Sequence, residues 1–484
     1  MNNSILYEIN ARLLVRRFGE KAKLKDIPGE YFESLSKKGI SIIWLMGVWQ
    51  NCSDLIEQCC FSADLISSYS KALPDWSRAD VIGSPYAIKD YIVHSDLGSF
   101  HDLIELKKNI NRLGMKLLLD FIPNHFGAST PLLDSSPGVF LSGDNILFEK
   151  DKHTFFKHGD KFFAHGRDPM FPAWTDTVQV NFFSETARSL LISRLIELTK
   201  YCDGVRCDMA MLALNPVFQN TWLGVLKEEK PEEEFWTAAI KKIKEVKSDF
   251  VFLAEAYWDL EWKLQKLGFD FTYDKRLLER LHSNDIWGVK AHLMADDEFQ
   301  KKSARFIENH DELRSVTKFG EARSLAAATV ISTVKGMKFF FDGQFESKKV
   351  KIPVQLGREP REKISHLTKI YYKKLLSIIS DDVFIKGEWL LIEPQSAAKN
   401  NLSFERFFSW IWHYKNNFRL IVINYSDKTA QCRLHIPFTI PNEIIVLEDL
   451  LTGAEYIRST TEIKSIGLFI ELKAYQSHIF SFTL

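Results

Sequence analysis

Eight short apolar runs pace the first 340 or so residues, at 5–11, 41–45, 116–121, 202–207, 250–254, 269–272, 303–307 and 338–341. Helical periodicity fills most of the gaps between them, clearest at 103–113, 187–200 and 234–246. Strands that alternate with helices must lie parallel, because only a crossover helix returns the chain to the same end of a sheet. Eight such units are the cadence of a (β/α)8 TIM barrel, although periodicity alone leaves other parallel α/β arrangements open. Two stretches break the rhythm. Residues 126–181 are rich in Gly, Pro, Asp, His and aromatics and are too long for an ordinary βα-loop. They are expected to form a loop-rich domain inserted after strand 3. Beyond a helix at 364–379 the pattern turns to short alternating strands at 418–424, 430–436, 444–447 and 477–482, a C-terminal antiparallel β domain. The expected division is a catalytic barrel at 1–125 and 182–382, an inserted domain at 126–181 and a β-sandwich at 383–484.

Composition removes several classes of function. Lys and Arg number 63, as do Asp and Glu, so the formal charge is zero and no basic excess points to nucleic acid. No run of about 18 apolar residues is present, so no membrane span is expected. The first residues lack a basic stretch followed by an apolar one, and the expected location is cytoplasmic. Cys52, Cys59, Cys60, Cys202, Cys207 and Cys432 fit no zinc spacing and read as free thiols. Aromatics are plentiful, with 37 Phe, 12 Trp and 14 Tyr, and most are expected in the core. Residues 227–234 read as a solvated charged loop leading into a helix.

Chemistry in such a barrel sits where strands end, at the carboxyl face. The third run ends in Asp120, with Asn124 and His125 following. The fourth ends in Gly204-Val205-Arg206-Cys207-Asp208, the fifth in Ala254-Glu255, and the seventh in Glu308-Asn309-His310-Asp311. Asp120, Asp208, Glu255 and Asp311 therefore aim at one place, joined by Arg206, His125 and His310. Converging carboxylates without phosphate-binding glycines suit metal binding or glycoside cleavage. For cleavage, Arg206 on the same strand face keeps Asp208 ionised as nucleophile. The apolar run before Glu255 favours the protonated form that a general acid needs. Asp311 is left to hold sugar hydroxyls.

These segments resemble the α-amylase superfamily of glycoside hydrolases (glycoside hydrolase family 13). Residues 120–125 match its first motif, 204–208 its second, Glu255 its third and 306–311 its fourth, in the family's order. Residues 83–91 resemble its stretch after the second strand. The resemblance covers about residues 1–380. It implies a retaining mechanism on α-glucosidic bonds: Asp208 forms a β-glycosyl-enzyme, Glu255 is acid then base, and Asp311 binds and distorts the ring. By the same resemblance Arg206 orients Asp208, and His125 and His310 bond the sugar. Tyr86 would stack under it, and Asp120 completes the set. Asn124 corresponds to a calcium ligand in many relatives. A calcium ion needs six to eight oxygens and the remainder are not identifiable in 126–181, so a structural calcium is left open and not assigned, and no cofactor is required for the chemistry.

The departures bear on specificity. Met211 and Leu212 stand where many amylases carry Lys-His, and Ala87 stands where exo-acting α-glucosidases often carry Asp. Residues 168–177 are similar to a stretch in one amylase-like group, and Phe171 and Trp174 there read equally as a cleft wall or a local core. Trp410 and Trp412 read as packing against the barrel rather than as exposed glucan contacts. The expected activity is hydrolysis of α-1,4-glucan or maltooligosaccharides. The near alternative is a glucanotransferase or isomerase acting on maltooligosaccharide, sucrose or trehalose. A metal-dependent hydrolase and a non-catalytic amylase-like binding protein are the more distant readings. The partner is a saccharide substrate, with no oligomeric state assigned.

Overall fold

Residues 42–46 (Ile-Ile-Trp-Leu-Met) and 251–254 (Val-Phe-Leu-Ala) are buried at every position. A strand reads this way when helices cover one face and a closed barrel interior covers the other. A computed structural model, which describes residues 3–484, closes eight such strands into a parallel barrel. They are β1 (Ile5–Asn10), β2 (Ile42–Met46), β3 (Lys116–Phe121), β4 (Gly204–Cys207), β5 (Val251–Ala254), β6 (Phe271–Tyr273), β7 (Ser303–Arg305) and β8 (Met337–Phe341). Each pairs with the next, and β8 pairs back to β1 with Ile5 opposite Lys338. The expected (β/α)8 architecture is therefore the one found. The sixth strand starts two residues later than expected. The Asp270 carboxylate accepts the Phe252 N–H at 2.8 Å, so the ladder begins only after it.

Helix α1 (Ala63–Ala72) lies in the excursion after β2, and further helices pack outside the barrel, among them α2 (Phe100–Arg112), α3 (Glu185–Leu198), α4 (Phe235–Val246), α5 (Glu321–Thr333) and α6 (His366–Ile379). Ser99 starts α2 with a reciprocal cap: its hydroxyl accepts the Asp102 N–H at 3.3 Å, and the Asp102 carboxylate accepts the Ser99 N–H at 2.8 Å. After β3 the chain makes two small strand pairs, His125–Gly127 with Thr177–Gln179 and Phe155–His158 with Lys161–Ala164.

The C-terminal region is antiparallel. A six-stranded sheet runs in the order Glu388–Leu391, Phe407–Tyr414, Asn417–Asn424, Ser477–Thr483, Ile444–Asp449 and Ala454–Ser459. A two-stranded sheet, Ala430–Leu434 with Leu468–Leu472, packs on it. Trp410 and Trp412 are fully buried on the sheet face toward the barrel. The Trp412 Nε1–H donates to the Thr333 carbonyl at the end of α5 at 2.6 Å. Both rings are therefore packing residues, and a glucan-contact role for them is excluded. Among the described residues no helix is long and apolar enough to cross a membrane.

Candidate active site

Strand register brings the motif residues together. Arg206 on β4 lies opposite Asp120 on β3, so both side chains point into the barrel mouth. Asp208 is two residues beyond Arg206 and keeps its direction. Its N–H donates to the Phe121 carbonyl at 2.8 Å, and the Glu255 N–H donates to the Cys207 carbonyl at 3.0 Å, which sets the two carboxyls at one level. The glycine that opens β4 has a steric reason. A Cβ on Gly204 would stand 2.5 Å from the Val251 carbonyl oxygen of the neighbouring strand.

Arg206 is the hub. Its Nη1 lies 2.6 Å from Asp208 Oδ1, its Nη2 lies 2.8 Å from Glu255 Oε2, and its Nε donates to the Tyr273 hydroxyl at 3.2 Å. Trp44, Tyr86 and Tyr273 box the guanidinium, with ring centres 5.0–5.6 Å away. The charge is fully buried, yet the surrounding carboxylates hold its pKa well above the ordinary value despite the burial. Glu255 has two further donors, the Met209 N–H at 2.7 Å and the Tyr257 hydroxyl at 2.7 Å. Met209 reaches it from a left-handed backbone (φ 42°), a strained conformation for a non-glycine residue. Burial pushes Asp208 up to about 7; Arg206 opposes this and the Glu255 charge adds to it. The sequence expectation gave Arg206 to Asp208 alone, whereas the cation is divided between the two carboxylates.

Asp311 stands at the mouth, partly open to solvent, with Oδ2 3.0 Å from His310 Nε2. The same nitrogen lies 2.8 Å from the Tyr86 hydroxyl, and His310 Nδ1 lies 2.5 Å from Glu8 Oε1. Burial disfavours a charged imidazole, but Asp311 and Glu8 outweigh it and raise the His310 pKa well above its usual range. In turn burial opposes ionisation of Asp311, but His310, Arg206 and Lys351 hold its pKa below the usual range. Asp120 accepts from Trp44 Nε1 at 3.1 Å and from the Gly47 N–H at 2.8 Å. Gly47 adopts φ 77°, and a Cβ there would meet Pro85 at 3.1 Å. His125 is buried beside Trp174, edge to face at 5.3 Å, and its pKa is lowered to about 4 by burial. Phe171 is 68% exposed, so the pair read from the sequence splits: Trp174 backs His125 and Phe171 faces solvent.

All eight residues singled out from the sequence thus lie at one barrel end. Glu8, Trp44, Tyr257 and Tyr273 were not. Glu8, Trp44 and Tyr273 sit within strands rather than just after them, where alternation along each strand was the available signal.

Asn124 does not fit a calcium ion. The Gln179 side-chain nitrogen bonds the Asn124 carbonyl at 2.9 Å, Asn124 Oδ1 at 3.0 Å and the Val180 carbonyl at 3.0 Å. A neutral amide donor occupies the centre of the oxygens that a cation would need at roughly 2.3–2.6 Å. Among the described residues no group of three His, Cys, Asp or Glu is arranged to hold a metal.

No family model matches the chain. It is 20% identical to alpha-amylase 3 of Dictyoglomus thermophilum over 386 residues, which is 74% of this chain and 67% of that protein. It is 22% identical to alpha-amylase MalA of Haloarcula japonica over 359 residues, 71% of this chain but only 44% of that longer protein. The crystal structure of a noncanonic maltogenic alpha-amylase, AmyB from Thermotoga neapolitana, superposes with a TM-score of 0.72 at 21% identity. That match covers 100% of this chain and 99% of AmyB, so the barrel and the C-terminal sheets share one arrangement. In sequence and in fold the chain is thus similar to alpha-amylases. Asp208, Glu255 and Asp311 stand just beyond β4, β5 and β7.

Proposed function

We propose that this protein is a retaining α-glycosidase of the α-amylase type, acting on α-1,4-linked glucan or maltooligosaccharides. One observation carries the reading: Asp208 and Glu255 meet on a single buried guanidinium, with Asp311 and His310 beside them. Asp208 attacks the anomeric carbon while Glu255 gives its proton to the departing oxygen, leaving a β-glycosyl-aspartate. Glu255 then takes a proton from water, whose oxygen releases the sugar and frees Asp208. Asp311 and charged His310 bond the ring hydroxyls, most strongly as positive charge develops on the sugar. Tyr86 offers its ring face, His125 closes the same subsite, and Asp120 holds the floor through Trp44. No step uses a metal or cofactor.

The same intermediate passes to a sugar hydroxyl where an acceptor displaces water. Exposed Met170 and Phe171, near Trp174, supply an apolar surface for such an acceptor. The retained carboxylates weigh against a purely binding role. The six cysteines are all free thiols, which favours the reducing cytoplasm.

Incubation with maltoheptaose, followed by product chromatography over time, tests the reading. Shorter products mean hydrolysis, and longer ones as well mean transfer. A 5-fluoroglycosyl fluoride should label the Asp208 peptide with one glycosyl residue. Absence of both turnover and label would refute the proposal.

A further inference from the structure

The barrel mouth is not open all round. The excursion after β2 carries α1, and the segment after β8 runs irregularly from 342 to 365. These two excursions are sewn together. Val81 and Leu356 form an antiparallel bridge, the Ile82 N–H donates to the Gln355 carbonyl at 2.8 Å, and the Gly357 N–H donates to the Asp80 carbonyl at 2.8 Å. Arg358 grips Asp80 with Nε at 2.7 Å and Nη2 at 3.1 Å, and reaches Asp75 at 3.2 Å. Beneath the seam Cys60, Tyr69, Ala72, Leu73, Val81 and Leu356 make a small apolar core of their own. A strand bridge, a forked ion pair and a core together mark a built wall rather than a loose loop.

A cavity of about 500 Å³ lies inside this wall. His310 and Asp311 line it together with Leu65 and Ser68 of α1 and with Val354 and Gln355. Neither Asp208 nor Glu255 lines it.

We infer that the seam ends the sugar-binding cleft on its glycone side, so the protein takes short units from the non-reducing end of an oligosaccharide and does not cut within a long chain. The inference rests on the roles proposed above. Glu255 stands at the bond that breaks, on the leaving side. Asp311 and His310 hold the sugar that is attacked. The space that Asp311 lines and Glu255 does not receives whatever precedes that sugar, and α1 and residues 354–355 wall the same space. A polysaccharide passing through would have to part the Val81–Leu356 bridge and the Arg358–Asp80 pair.

The test compares maltoheptaose with a free non-reducing end and maltoheptaose carrying a 4,6-O-ethylidene block there, using the whole chain. The free substrate should be cleaved to one short product early in the reaction. The blocked one should turn over at least ~100-fold more slowly, because a closed pocket has no room for the added group. Comparable rates, or an early spread of product lengths, would overturn the inference while leaving the glycosidase reading intact. Failure to cleave either substrate would overturn that reading and this inference with it.

Discussion

Asp208 and Glu255 sit on the two terminal nitrogens of one guanidinium, at 2.6 Å and 2.8 Å from Arg206. One cation thus serves two anions in a buried site, so the charge on each carboxylate depends on the other. Glu255 has the Met209 N–H and the Tyr257 hydroxyl as well, and burial leaves Asp208 raised to about 7. Glu255→Gln removes a negative charge that raises Asp208, so the Asp208 pKa should fall. The acidic limb of kcat/KM on an activated aryl glycoside should then move to lower pH, read from a full pH profile. Loss on unactivated oligosaccharide should be larger, by roughly 10²–10⁴-fold. A limb that stays in place would mean that another group controls it.

Asp208→Asn should lower kcat by about 10⁴-fold or more and abolish glycosyl labelling, since no neighbouring carboxylate can take its place. It should also change stability in a pH-dependent way. The Asp208 pKa is raised in the folded state, so the native protein holds the proton more tightly than the unfolded chain does. Stability from this group is present at low pH and is lost as pH rises from about 4 to about 7. The variant has no such loss. Its melting temperature relative to the parent should therefore climb across that window, as thermal unfolding at several pH values would show. A flat difference would argue against the raised value.

Gln179 holds the inserted segment by donating to three oxygens at 2.9–3.0 Å. Thermal unfolding of the parent protein should be indifferent to added calcium or to a chelator. Gln179→Glu replaces the donor with a carboxylate among carbonyls and should cost about 1–3 kcal/mol. Calcium should restore part of that loss in the variant alone. A parent protein that melts earlier in chelator would disprove the amide's role.

Trp412 fills the interface between the six-stranded sheet and α5, bonding the Thr333 carbonyl. Trp412→Ala should lower unfolding stability by about 3–5 kcal/mol. Calorimetry should show one transition moved downward, without a change in KM for short oligosaccharides. An unchanged transition would argue against the packing role.

Strand periodicity made the barrel legible, and the residues just past strand ends pointed to the carboxylates. What stayed hidden has physical causes. Glu8 and Tyr273 lie inside short buried strands, where a polar atom looks like any other barrel filler until its partner is known. The division of Arg206 between two carboxylates depends on β4 and β5 ending level, a register that no single strand encodes. The 81–82 and 355–357 contacts join residues more than 270 positions apart, with no repeating pattern in either segment. Asn124 was readable as a candidate cation ligand, but the amide that fills the place comes from a strand 55 residues later.

The buried face that carries Trp410 and Trp412 also bears on how the molecule comes apart. Phe408, Ile421, Ile423 and Tyr425 join the same apolar cluster as the barrel helices. Barrel and C-terminal sheets therefore share a wall, and neither can melt without stripping the other. A chain cut after residue 382 would bare that wall to water and self-associate instead of working as a trimmed catalyst. In such a protein the C-terminal region is not a cassette to be traded between relatives; its inheritance is tied to that of the barrel helices it covers.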